Sequence, residues 1–526
     1  MAVTFAMRLK LLCVSASMVA IAAFAGGAAA ASVGSGPGAG RSVRVDPVPR
    51  PRHGHEVPSA GSPWQELTHQ PSFNAGAMFL LTDGTVLVQN AGTNEGGTNK
   101  WWRLTPSSSG SYVKGTWSKV ASMPSNYGPL YFASAVLPDG RFIVIGGEYN
   151  FNKEVFSNHG AIYDPVANKW TSVRPPSGSG WATIGDAPGT VLANGTFMVG
   201  ASGVYGLTSE ALLNAKTLTW RRTGSGKADG NPEQGWSLLP DGKVLTVDTE
   251  FHPRNTEIYT PSTGSWTGAG KLPVRLVDSK GEIGPQLLRP DGTVFAAGGT
   301  GTNAIYSSAT GKWSAGPSFP LVGKKQLDAA DAPSAVLPNG NVLVVASPGE
   351  YTPPSRVFDF NGKTLTQVTS PPNVGLYASN DVYMMVLPTG QVLYNDRTRD
   401  FEVYNPTGSP KSAWLPAITS VPATMSEGGT YTLSGKQLNG LTQAAAYGDD
   451  YQGATNYPLV RLTNNTTKAV VYARTFNMTS MTVAPGAKSS VRFTLPATIP
   501  TGGYTLVVVA NGLASASVAV TVTAAG

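Results

Sequence analysis

Four acidic residues, Asp186, Glu233, Asp331 and Asp381, each stand nine positions before a turn glycine, at Gly195, Gly242, Gly340 and Gly390. Tyr131 stands nine before Gly140, Glu282 lies ten before Gly292, and Asp328 is close to Asp331. If the counted positions are equivalent, four or five carboxylates converge with Tyr131 and Asn380. Carboxylate oxygens accept hydrogen bonds without needing a proton, so the group would take a cation or a hydroxyl-rich ligand. Paired carboxyls could also divide acid and base roles in glycoside hydrolysis. The structural alternative is that acidic strand starts cap turns or pair with Lys and Arg. Acidic residues are only 31 of 526, which weighs against four matches by chance. Tyr149, Phe151, Trp181, Tyr205 and Trp236 lie near these strand starts as candidate stacking platforms. Trp236 reads more as packing, because it falls inside an expected strand.

The glycines belong to a repeat. "YFASAVLPDGRFIVIGG", Tyr131 to Gly147, reads as strand, tight turn, strand. Similar turns end at Gly84, Gly140, Gly195, Gly242, Gly292, Gly340 and Gly390, at steps of 56, 55, 47, 50, 48 and 50 residues. "IYDPVANKW", "IYTPSTGSW" and "IYSSATGKW" then place a tyrosine seven residues before a tryptophan, in the expected third and fourth strands. Four strands at a period near fifty are the pattern of a propeller blade. The seventh copy stops after "FEVYNP", and "SPWQELT" near Trp64 supplies the missing outer strand. From Leu415 the repeat gives way to short alternating strands, the pattern of an immunoglobulin-like sandwich.

Composition agrees with an all-β chain: 62 Gly, 40 Pro and 13% charged residues. Arg8, Lys10, the apolar run Leu11 to Ala25 and the small residues near Ala29 to Ala31 read as a secretory signal. The only cysteine, Cys13, lies inside it. Arg41, Arg44, Arg50 and Arg52 lie in a Gly/Pro-rich linker that carries part of the net charge of +7. No basic and aromatic stripe recurs, which argues against nucleic acid as a partner.

Together these features resemble the galactose oxidase and glyoxal oxidase family over about residues 62–526, and "AAAYGDDYQGATNYPLVRL" resembles the C-terminal domain of its bacterial members. The resemblance implies a kelch propeller, an early-set immunoglobulin-like domain and a copper site with a crosslinked tyrosine radical. It matches Tyr131 to the crosslinked tyrosine. It places the cysteine partner near Ala75, a tyrosine–histidine pair at Asn380 and Asp381, a C-terminal histidine at Met478 and a stacking tryptophan at Tyr149. Those residue types are not kept, and His53, His55, His69, His159 and His252 fall at none of these positions.

The sequence therefore predicts a signal peptide over 1–31, a linker over 32–61, a seven-bladed kelch-type β-propeller over 62–412 and an immunoglobulin-like β-sandwich over 413–526. It predicts a secreted monomer, extracellular or periplasmic, without a membrane span. The expected ligand is a carbohydrate or polyol, held by Tyr131, Asp186, Glu233, Asp331, Asp381, Asn380 and Tyr149. No cofactor is firmly implied. All-oxygen ligands would suit calcium or magnesium, whereas carboxylate and thioether make a poor copper set. The competing readings are a copper-dependent oxidase of sugars or aldehydes with altered ligands, and a protein-binding scaffold. No reaction is assigned.

Overall fold

Local chemistry at one turn explains the repeat. The Gly140 amide donates to the Leu137 carbonyl at 2.8 Å, and the Leu137 amide donates to the Arg141 carbonyl at 2.8 Å. Asp139 Oδ1 accepts the Arg141 amide at 3.0 Å. Gly140 has φ of 82°, a left-handed backbone that would cost a residue with a Cβ about 1–2 kcal/mol. The same two backbone bonds close the turns at Gly84, Gly195, Gly242, Gly292, Gly340 and Gly390.

In this computed structural model the described residues are 58–93, 96–203, 206–448 and 453–526, all within one compact unit, Ser42–Gly526. The expected signal peptide, most of the linker and Tyr205 lie outside them. Each turn joins the first two strands of an antiparallel sheet. Ala133–Val136, Phe142–Ile145, Gly160–Asp164 and Lys169–Val173 form one such sheet, and seven sheets of this plan occur among the described residues. Successive first strands neighbour one another, and Tyr383–Val386 of the last sheet meets Ala75–Leu80 of the first. Phe79 packs on Phe132 and Phe142 where the first sheet meets the second. The result is a β-propeller, with first and second strands buried and apolar.

The tyrosine and tryptophan seven residues apart are direct cross-strand partners. Tyr163 faces Trp170, Tyr259 faces Trp266 and Tyr306 faces Trp313, with ring centroids 5.1, 5.3 and 5.1 Å apart. Such pairs contribute about 0.2–1 kcal/mol each and fix the outer register. Trp236 packs on Trp266 at 5.6 Å. The last sheet takes its outer strand from the other end of the chain: Trp64–Glu66 pairs with Phe401–Tyr404.

The C-terminal strands form a strongly curled β-sandwich. Val470–Phe476 pairs with Leu459–Asn464 along one part and with Lys488–Thr494 along another, so it passes between the two layers. These strands sit against the turn end of the propeller. Arg474 Nη2 donates to the Asp139 carbonyl at 3.0 Å. A Cβ on Gly140 would lie 2.8 Å from the Thr475 carbonyl oxygen. The turn glycine thus serves both the bend and the close approach. One segment leaves the sandwich: Ala445–Tyr447 pairs with Pro333–Val336 and so adds a fifth strand to the sixth blade at its inner edge. The range 413–526 is therefore not wholly sandwich. Among the described residues, no helix is long and apolar enough to cross a membrane.

Candidate functional site

The count of nine lands on a real structural position. Tyr131, Glu233 and Asp331 have φ of 51°, 59° and 46°, the same left-handed backbone just ahead of three different first strands. Each costs about 1–2 kcal/mol for a residue with a Cβ. Strain of this kind persists only where the surroundings fix it, and it gathers at ligand sites.

Glu233, Glu282 and Asp331 each offer one carboxylate oxygen, and these three atoms lie within 4.8 Å of one another. Glu282 is 7% exposed, and its Oε2 has no hydrogen-bond partner. Burial, then the charges of Glu350 and Asp278, push its carboxyl up to about 8, with a hydrogen bond from the Glu233 side acting the other way. Glu350 is buried beside it and raised by burial; Lys280 Nζ reaches its Oε2 at 3.3 Å. Asp328 is pushed up to about 7, again chiefly by burial, and accepts the Ala330 amide at 3.2 Å. Loss of water around the Tyr351 hydroxyl, then the charges of Glu350 and Asp331, hold it protonated, although the residue as a whole is 38% exposed. Asp186 accepts the Ser202 hydroxyl at 2.9 Å, and its charge acts on Glu282.

Tyr131 heads a second group. Arg397 Nη1 donates to its hydroxyl at 3.2 Å, and the guanidinium lies 5.9 Å from its ring centroid. Tyr447 stacks on the ring at 6.5 Å, and Tyr149 meets it edge-on at 6.4 Å. Asp381 ends the short turn Ser379–Asp381, with its Oδ1 4.0 Å from Arg397 Nη1. The buried Asn380 accepts the Tyr447 hydroxyl on its backbone carbonyl at 2.7 Å, while its Oδ1 has no hydrogen-bond partner. Gly448 links the two groups: a Cβ there would lie 2.6 Å from Asp331 Oδ1. The strand from the C-terminal segment thus carries Tyr447 and Gly448 to the strand-start end of the ring.

The structure sorts the expected residues accordingly. Glu233 and Asp331 come together, Tyr131 joins Asp381 and Asn380, and Asp186 lies within electrostatic reach of Glu282. Two expectations are corrected. Tyr149 and Trp181 are buried, so neither ring is an open stacking platform. Met478 is not a partner of Tyr131. Its amide donates to the Pro138 carbonyl at the turn end, the opposite end of the strand Ala133–Val136 from Tyr131.

Sequence counting left out Glu350, Arg397 and Tyr447, and it noted Glu282, one position out of phase, without placing it among the expected ligand residues. Glu350, Arg397 and Tyr447 lie beyond the counted strand starts and are brought in by topology. Phe151, Phe251, Tyr351 and Leu376 are exposed on loops at the strand-start end.

Copper does not fit the Tyr131 group. A guanidinium at hydrogen-bond distance from the phenol oxygen opposes a second cation there, and asparagine and aspartate stand where the resemblance puts tyrosine and histidine. The described histidines lie elsewhere: His69 bonds the Gly115 carbonyl, His159 packs on Tyr127 and His252 on Phe251.

The Kelch motif family model matches residues 129–177, the second blade almost from end to end. A search of the curated proteins finds no match. Similar solved structures include a fungal alcohol oxidase of the AA5 family in complex with copper. It is 16% identical, covers 88% of this chain and 99% of its own, and gives a TM-score of 0.48. Another is the extracellular domain of a hybrid two-component system from B. thetaiotaomicron, 11% identical over 86% of this chain and 57% of its own, TM-score 0.44. At these identities and TM-scores the likeness carries nothing about activity. With a kelch motif in one of several repeated four-stranded sheets and a β-sandwich following them, the chain is a kelch-type β-propeller protein in fold.

Proposed function

We propose that this protein is exported and binds a glycan or another polyhydroxylated ligand at the strand-start end of its propeller. The observation that carries the reading is the grouping of Glu233, Glu282 and Asp331 oxygens within 4.8 Å, at the end of the ring where Phe151, Phe251 and Tyr351 are exposed. Carboxylates accept from sugar hydroxyls, and flat side chains cover the C–H faces of the rings. Few polar contacts set in an apolar rim are the usual composition of a small-ligand site. The same residues give the copper-oxidase alternative little support, since the cation beside Tyr131 is Arg397.

Titration calorimetry against a panel of neutral and acidic oligosaccharides tests the reading. At least one ligand should bind, and Asp331→Asn and Phe251→Ala should each weaken it about tenfold, near 1.4 kcal/mol. Wild-type binding that both variants retain in full would place the ligand elsewhere.

A further inference from the structure

We infer that Glu233, Glu282 and Asp331 form a calcium site. The three residues come from the approaches to three successive blades, and two of them hold a left-handed backbone there. Two oxygens bound to one calcium can be up to about 5 Å apart, twice the usual calcium–oxygen distance, against about 4.2 Å for magnesium. Three oxygens within 4.8 Å of one another can all reach one calcium ion.

The second observation is independent of the grouping. Glu282 is more than nine-tenths buried, yet its Oε2 has no hydrogen-bond partner. Glu350, 3% exposed, acts electrostatically on Glu282. A buried carboxylate oxygen without a donor is costly, and a bound cation removes that cost. The charge balance points the same way. Asp186, Asp278 and Glu350 add negative charge around Glu282, and Lys280 answers Glu350 at 3.3 Å. Hard oxygen donors with a surplus of negative charge select calcium or magnesium over copper or zinc. Three protein oxygens leave at least three positions for water or other ligands.

This inference deepens the glycan reading by giving a cation the same three carboxylates, and its test uses the metal alone, so that failure of one reading is distinguishable from failure of the other. The purified chain is stripped with a chelator, dialysed and titrated with calcium chloride in a calorimeter. A parallel set of thermal melts compares calcium, magnesium and manganese. One calcium per chain is expected to bind and to raise the melting temperature. Glu282→Gln and Asp331→Asn, near-isosteric changes, should each weaken binding about tenfold or more and remove most of the shift. Circular dichroism of both variants checks that they fold, and Glu233→Gln serves as the third ligand variant. No calcium heat and no shift in the wild type would overturn the site. So would full binding in all three variants, or a response to magnesium or manganese without one to calcium. If calcium does nothing while Glu282→Gln alone raises the melting temperature, the carboxyls share protons and the inference fails.

Discussion

Glu66 lies directly opposite Glu402 in the strand pair that closes the propeller. Glu402 is 1% exposed, and neither of its carboxyl oxygens has a hydrogen-bond partner. Burial, followed by the charges of Asp400, Asp396 and Glu66, raises its carboxyl well above the ordinary value of 4.5. The neutral form is the one that suits the fold. Its contribution to stability is therefore complete below the unfolded-state value and is lost as pH rises through the folded one. We expect Glu402→Gln to stabilise the protein by about 1–3 kcal/mol at neutral and alkaline pH and to change little in acid. Melting curves of both proteins across pH would show it. Parallel curves at all pH values would remove Glu402 from the account.

The closing strand is anchored by Trp64. It is 2% exposed, donates through Nε1 to the Thr369 carbonyl at 2.7 Å, and packs on Tyr404 and Tyr394 at 5.0 and 5.5 Å. Trp64→Ala should cost about 3–5 kcal/mol in denaturant unfolding. Phe151→Ala, on the exposed rim, should stay within about 0.5 kcal/mol. Similar losses in the two variants would mean that the ring is not held at Trp64.

A third expectation concerns Lys227, whose Nζ meets Glu257 Oε2 at 2.9 Å with both side chains buried. Around this pair lie Glu210 and Asp248, each raised to about 8 chiefly by burial. Lys227→Met leaves Glu257 without its cation, a loss of about 3–5 kcal/mol. The sign follows from the raised values: Glu210 and Asp248 favour the fold while protonated and oppose it as pH climbs past about 8. Stability of the variant should therefore fall more steeply toward alkaline pH than that of the wild type. An unchanged slope would show that the two carboxyls are screened from the pair.

Tyr131→Phe removes the acceptor of the Arg397 hydrogen bond. We expect a stability loss of about 1 kcal/mol and no change in oxygen consumption with galactose or glyoxal, which should match a blank in both proteins. Peroxide production that the substitution abolishes would restore the oxidase reading.

Much of the propeller was legible because its signals are local. Pro and Asp-Gly at Pro138 to Gly140 dictate a hairpin whatever surrounds them, and seven residues between Tyr163 and Trp170 fix a cross-strand pair. Glu233 and Asp331 were legible for the same reason, since a repeated hairpin carries the residue nine positions upstream to a repeated place. Arg397 and Tyr447 were not. Arg397 reaches Tyr131 across 266 residues, and Tyr447 arrives on a strand that leaves its own domain. Met478 was misplaced because a motif in a loop does not say which end of the barrel of blades that loop faces. Glu282 was counted as the possible fifth carboxylate but not named as a ligand, since one residue of loop length shifted its phase.

The strand Ala445–Tyr447 is hydrogen-bonded into the sixth blade while the chain on either side of it belongs to the sandwich. Peeling the sandwich away therefore breaks a propeller sheet as well as an interface, so the two bodies cannot melt as separate cooperative units. A protease that cuts between Tyr404 and Ala417 would leave the halves attached, tied together by a ladder of main-chain bonds that no longer needs the linker.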